Sequence, residues 1–148
     1  MTYQEKKSIV SLFSAIFIFI SFCFYMYPLF PEDASESPET LRYWGFFVLC
    51  LTVVSIIAHI VISIIFNILF KITTKEKVPT FADELDKLID LKANRISFFV
   101  FILGFITAMG VLMLDQSLPL MFIILIISGF TSDVIGSLSK LYYYRRGV

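Results

Sequence analysis

Long apolar stretches alternate with short polar segments along the whole chain. The four apolar stretches are Ser8–Tyr27, Trp44–Phe70, Ile96–Leu114 and Leu118–Leu141. A helix of about 20 residues crosses a hydrocarbon core of about 30 Å, and each stretch is close to that length or longer. The pattern therefore predicts an all-α fold: a four-helix transmembrane bundle that forms one integral membrane domain over residues 1–148.

A further, amphipathic helix is predicted over residues 80–95, directly before the third span. Leu85, Leu88 and Ile89 fall on one apolar face, and charged residues occupy much of the remaining surface. The charged residues are Asp83, Glu84, Asp86, Lys87, Asp90, Lys92 and Arg95. This pattern fits either a helix on the membrane surface or a docking helix for a partner protein. Because neither Gly nor Pro separates it from the third span, a continuous rod and a bend near Asn94 are both compatible with the sequence.

Positive charges are segregated relative to the spans. Lys and Arg residues precede the first span, recur through segment 71–95 and close the fourth span, whereas segment 28–42 is acidic apart from Arg42. Short loops rich in Lys and Arg remain cytoplasmic. We therefore predict a multi-pass protein of the cell (inner) membrane with both termini cytoplasmic and Pro28–Arg42 as an extended outer connector. The 58% share of hydrophobic residues agrees with a membrane protein, because soluble domains have about 45–50%.

The second span carries a polar stripe on one helical face. Its members are Thr52, Ser55, His59, Ser63 and Asn67. Steps of three or four residues place these side chains on the same side of a helix. Inside a membrane such a face turns towards other helices or water, so the stripe indicates which side of the second span faces the bundle interior.

Residue counting places His59 of the second span at the same depth as Asp133 of the fourth. Each lies 15 residues from the outer end of its span, which corresponds to about 22 Å of helix. As an intramembrane polar pair, the two side chains could form a structural hydrogen bond or handle protons or ions; a third interpretation is that they do not meet. Lys140 either pairs with Asp133 or extends to the inner interface.

Small residues recur at helical spacing in the last two spans. They are Gly104 and Ala108 in the third span, and Gly129, Ser132 and Gly136 in the fourth. Because small side chains let helix backbones approach closely, we predict that these positions mediate helix packing. The same ridges, together with the large lipid-facing surface of a four-helix unit, favour a homo-oligomer.

Catalytic motifs are absent from the sequence. It contains neither HExxH nor GxSxG, and its single His leaves little basis for a metal site. Cys23 and Cys50 lie inside spans and are interpreted as free thiols that behave as small apolar groups. Basic residues are interleaved with acidic ones, which disfavours nucleic-acid binding. We expect no enzymatic activity, no cofactor and no metal; the expected partners are the lipid bilayer and a protein on the cytoplasmic side.

The segment Asp83–Ala93 reads DELDKLIDLKA. It is similar to the D-E-x-x-x-x-I-x-x-K-A pattern that precedes an apolar helix in small, uncharacterised bacterial multi-span membrane proteins. Some proteins of this type are thought to work beside helix-turn-helix regulators, so the resemblance implies a regulatory or interaction role and no catalytic residue. We therefore predict a non-enzymatic membrane protein with a regulatory or partner-binding role through its cytoplasmic helix. The alternative is a small oligomeric transporter or proton-coupled carrier that uses a His59/Asp133 polar path.

Overall fold

The computed structural model describes residues 3–30, 38–74 and 84–146, and these residues form four long helices. The helices are α1 (Tyr3–Met26), α2 (Pro38–Thr74), α3 (Glu84–Met113) and α4 (Leu118–Arg146). A short 3-10 helix, Tyr27–Leu29, follows α1. Each of the four helices is long and apolar enough to cross a membrane. The predicted all-α, four-helix class is thus confirmed, and the architecture fits a multi-pass membrane protein.

Helix α2 begins earlier than the apolar pattern predicts. Its first residue is Pro38, so the stretch 38–42, which we expected to be part of an extended connector, is helical. A proline suits the first turn of a helix because its fixed φ is already helical and the missing N–H has no intrahelical partner there. Glu39 adds a favourable charge near the positive end of the helix dipole. With 37 residues α2 is about 55 Å long, well beyond the thickness of a hydrocarbon core.

Helix α3 runs without interruption from the charged segment into the third span. The predicted helix 80–95 is therefore not a separate element from Glu84 onwards; it is the first part of α3, while residues 80–83 lie outside the described residues. The charged segment and the third span are thus parts of one continuous helix. Good helix formers fill this stretch and no Gly or Pro breaks it, so the helix has no physical reason to end.

The four helices have two distinguishable ends. We call the end that contains the start of α1 and the end of α4 the terminal end, and the opposite one the far end. At the terminal end Tyr3 of α1 donates a hydrogen bond to Asn67 of α2, and Gln4 donates one to Asp86 of α3. Helix α1 packs against α2 and α4, whereas α3 packs along α4. The contact between α2 and α4 is sparse, which leaves space between these two helices.

Small residues join α3 to α4. The Ser97 and Ser132 hydroxyls lie 2.8 Å apart, and each also donates to the backbone carbonyl of the other residue. Gly104 faces Ser128 so closely that an added Cβ would overlap that side chain, and Gly136 faces Ser97. Ala108 is fully buried in α3. Gly129 differs from the other predicted packing residues, because an added Cβ there would meet nothing within 4 Å.

Aromatic side chains pack against one another at the far end of the bundle. Phe22 and Met26 of α1 form a buried core with Phe47 of α2. Trp44 of α2 stacks on Phe122 of α4, with 6.0 Å between ring centroids and 2° between the ring planes. The Tyr43 hydroxyl donates a 2.9 Å hydrogen bond to the carbonyl of Met26, so α1 and α2 are also tied by a polar contact at this end.

Candidate functional site

The structure brings His59 and Asp133 together. His59 Nε2 of α2 lies 3.7 Å from Asp133 Oδ2 of α4, a distance for an ion pair rather than a direct hydrogen bond. The side chains are 36% and 52% exposed, so neither is sealed in the packed interior. A charged carboxylate at the centre of a membrane helix costs about 2.5–3.5 kcal/mol on insertion scales, and a nearby imidazolium offsets part of that cost.

The exposed faces of His59 and Asp133 open into two cavities of opposite character. An apolar cavity of about 690 Å³ lies on the side of the far end; α1, α2 and α4 form most of its wall and Phe101 of α3 also lines it. A polar cavity of about 460 Å³ extends from the pair to the terminal end. His59 and Asp133 line both cavities, so the pair stands at the boundary between them.

The polar cavity contains a network of charged groups from three helices. Lys140 Nζ of α4 lies 2.9 Å from Asp90 Oδ1 of α3. Lys140 is thus paired with the carboxylate of Asp90 and not with that of Asp133. Gln4 Nε2 of α1 donates a 3.0 Å hydrogen bond to Asp86 Oδ2 of α3. Lys7 of α1 also lines the cavity.

Tyr144 lines the polar cavity at the terminal end. It follows the apolar stretch that ends at Leu141. The carboxylates of Asp86 and Asp90 line the same cavity. A phenol can donate a hydrogen bond to a carboxylate, so Tyr144 adds a polar group to this end of the cavity.

The apolar cavity offers few polar groups. Asp133 and His59 lie at one end of it, and Thr52 and Ser55 are the other polar side chains on its wall. The Thr52 hydroxyl donates a 2.8 Å hydrogen bond to the Val48 carbonyl of its own helix. The remaining wall consists of aliphatic and aromatic side chains together with Gly129, whose missing side chain widens the cavity.

The polar stripe of α2 is divided among several surroundings. Thr52, Ser55 and His59 face the apolar cavity. Ser63 lines a small hollow next to Lys7, and Asn67 accepts the hydrogen bond from Tyr3. The members of the stripe therefore do not line one continuous cavity; they lie in separate surroundings next to α1 and α4.

The residues predicted to bind a partner lie on different sides of α3. Asp86 and Asp90 line the polar cavity, where they are engaged by Gln4 and Lys140. Lys92 lies over the Tyr143 ring at 5.6 Å, and Arg95 over the Phe99 ring at 5.8 Å. Glu84 and Lys87 are exposed, whereas Asp83 lies outside the described residues. Two of the predicted surface charges, Asp86 and Asp90, therefore line the polar cavity.

Sequence reasoning missed most of the polar cavity, although a signal for it exists. On α3 the polar residues Asp86, Asp90, Asn94 and Ser97 follow one another at steps of four, four and three. This spacing defines a polar face that continues from the charged segment into the third span. At the terminal end, Asp90 of this face pairs with Lys140 of α4, and Asp86 accepts the hydrogen bond from Gln4 of α1.

No metal site accompanies this network: in residues 3–30, 38–74 and 84–146, no three His, Cys, Asp or Glu side chains are placed to hold an ion together. Cys23 and Cys50 are both free thiols. Comparison with known proteins gives no match to this chain among family models, curated proteins or solved structures.

Proposed function

We propose that the protein is a small, non-enzymatic membrane carrier that exchanges a cation for a proton at His59 and Asp133. The proposal rests on the position of the His59/Asp133 pair, which lies where the polar cavity meets the apolar cavity. Intramembrane ionisable side chains that face a cavity are typical of ion and proton pathways.

Exchange requires that one site hold either a proton or a cation. With the proton on the His59 imidazole, imidazolium and Asp133 carboxylate neutralise each other across 3.7 Å. When a cation approaches the carboxylate, the proton leaves the imidazolium to water in the polar cavity, and the cation becomes the partner of Asp133. One positive charge replaces another, so the charge of the site is unchanged. The other charged groups facing this cavity are Lys7, Asp86, Asp90 and Lys140.

A carrier agrees better with this geometry than an open channel. The polar cavity reaches the terminal end, but the aromatic cluster around Trp44, Phe47 and Phe122 occupies the far end. A carrier is open to one side at a time, whereas a conducting pore needs polar groups along its whole length. We propose further that the terminal end faces the cytoplasm of an inner membrane, in line with the positive charges there, and that the carrier works as a homo-oligomer.

Asp133→Asn is the decisive variant for this function. The amide has nearly the same shape but carries no charge, so it neutralises neither the His59 imidazolium nor a bound cation. In proteoliposomes that contain a pH-sensitive dye, adding sodium, potassium or organic ammonium ions outside should release protons from inside. We expect Asp133→Asn to slow this release at least about tenfold, which corresponds to about 1.4 kcal/mol of lost interaction.

Asp115→Asn provides the matched control. Asp115 is exposed in the turn before α4 and has a φ of 54°, a left-handed conformation that Asn also tolerates. This variant should release protons as the wild type does. If no cation moves protons through the wild-type protein, or if both Asn variants work equally well, the carrier proposal is wrong.

A second candidate function is partner binding through the first turns of α3. Leu88 and Leu91 are 43% and 68% exposed there, close to the exposed Lys87. Under this hypothesis, a protein copurifies with the wild type in a fixed ratio, and Leu91→Ser removes it while insertion into the membrane is unchanged. Quantitative mass spectrometry of the purified complex measures the ratio. Absence of a stoichiometric companion, or its retention by Leu91→Ser, would rule this function out.

A further inference from the structure

We propose that the cation accepted at Asp133 is an amphiphilic organic cation, with its charged centre at the carboxylate and its apolar body in the apolar cavity. This inference rests on the carrier function proposed above and names its substrate class. It comes from the combination of a carboxylate and an apolar chamber at one position, since each alone would accept many other ligands.

The apolar cavity has the size and lining of a site for an organic molecule. Its volume of about 690 Å³ lies within the range of about 300–1,000 Å³ that is usual for small-molecule sites. Aromatic rings from three helices line it: Phe19 from α1, Phe101 from α3 and Phe130 from α4. Such rings bind apolar groups and also attract a positive charge held over their faces.

The charge balance around the cavities selects a positive ligand. Among the described residues, Asp133 is the one acidic side chain on the apolar wall and His59 the one basic side chain there. On the polar side, Lys140 is engaged by Asp90, and Lys7 and Lys140 face three carboxylates in total. With His59 neutral, the lining of the polar cavity therefore carries one negative charge in excess. An anionic ligand would meet a carboxylate at the junction of the cavities and be repelled.

A small inorganic cation fits the apolar side poorly. Such an ion exchanges its hydration shell for several oxygen ligands. Beyond the Asp133 carboxylate, the apolar wall offers only the two hydroxyl oxygens of Thr52 and Ser55 among the described residues, fewer than the set of oxygen ligands that such an ion takes. An organic cation needs no such ligand set, because its charge is spread over or shielded by carbon groups. A lipid acyl chain would fill the same cavity, but its binding would not depend on Asp133.

Binding of radiolabelled tetraphenylphosphonium to the purified protein in detergent tests this inference without any ion gradient. Tetraphenylborate has the same four phenyl groups and the opposite charge, so it is the matched control ligand. We expect the wild type to bind the phosphonium ion, and Asp133→Asn to weaken that binding at least about tenfold. Asp115→Asn should bind as the wild type does.

Gly129→Leu tests the apolar half of the site separately. The added side chain enters open space in the cavity wall and leaves both members of the ion pair in place. We expect it to reduce phosphonium binding at least about tenfold by occupying the cavity. Size-exclusion profiles and thermal melts of both variants show whether they are folded, so loss of binding can be assigned to the site.

The possible results separate this inference from the carrier proposal. Equal affinity for the phosphonium and the borate, or binding unaffected by both Asp133→Asn and Gly129→Leu, overturns the inference and indicates a lipid-like occupant. If the phosphonium does not bind while sodium or potassium still drives proton release through Asp133, the substrate class is wrong and the carrier function stands. If the phosphonium binds at Asp133 but no cation moves protons, the binding site is supported and the carrier function is wrong.

Discussion

Gly104→Ala is expected to lower the free energy of unfolding by about 1–3 kcal/mol, because the added methyl group has no room between α3 and α4. A Cβ at position 104 would overlap the Oγ and Cβ of Ser128. Rotation of the Ser128 side chain can move its Oγ but not its Cβ, which is fixed by the backbone of α4. The two helices must therefore separate locally, and their van der Waals contacts weaken along the interface.

Gly110→Ala is the matched control for this prediction. It makes the same change in the same helix, and an added Cβ at position 110 meets nothing within 4 Å. Since alanine favours a helix over glycine by about 1 kcal/mol, this variant should be neutral or slightly more stable. Thermal unfolding in detergent, followed by circular dichroism, gives the comparison. Equal melting temperatures for the two variants would contradict the close approach at Gly104.

The neighbouring serine pair adds a polar tie to this interface. Ser97 and Ser132 satisfy each other's hydroxyls and backbone carbonyls between two apolar helices. Hydrogen bonds between membrane helices contribute about 0.6 kcal/mol each on average. Close packing at Gly104 and Gly136 is thus expected to contribute more to the association of α3 with α4 than the serine hydrogen bonds.

The helices themselves could be predicted from the sequence because the bilayer limits the choice of structure. A long apolar stretch must satisfy its backbone hydrogen bonds internally, and a helix does so. The first and last residues of each helix are less well determined by hydropathy. Helix α2 extends from Trp44 back to Pro38 through polar residues, because a proline and an acidic residue are favourable in a first helical turn. Hydropathy measures the preference for lipid and does not detect such capping effects.

The candidate site was only partly predictable. Residue counting along two spans placed His59 and Asp133 at one depth, and the structure has them 3.7 Å apart. The sequence pattern predicts Asp86 and Asp90 to belong to a partner-binding cytoplasmic helix, and the structure has them in the wall of the polar cavity. A charged helical face has the same pattern in sequence whether it faces solvent or a cavity between helices. Contacts such as Asp90 with Lys140 depend on how α3 lies against α4, which one-dimensional spacing does not fix.

Ser137→Cys is expected to react with a membrane-impermeant maleimide from one side of the membrane only. Ser137 lines the polar cavity, which reaches the terminal end, whereas the aromatic cluster around Trp44 occupies the far end. The measurement uses a background in which Cys23 and Cys50, the two native thiols, are replaced by alanine. Labelling is compared in right-side-out and inside-out vesicles, and the expected difference is nearly all-or-none.

Ser117→Cys reports the opposite side with the same chemical change. Ser117 is exposed in the turn between α3 and α4, at the far end. With both termini cytoplasmic, Ser137→Cys should label in inside-out vesicles and Ser117→Cys in right-side-out ones. A complete exchange of these two results would reverse the proposed orientation but keep the one-sided cavity. Labelling of Ser137→Cys from both sides would contradict a cavity that opens to one side only. The polar cavity lined by His59 and Asp133 would then be part of an open pore.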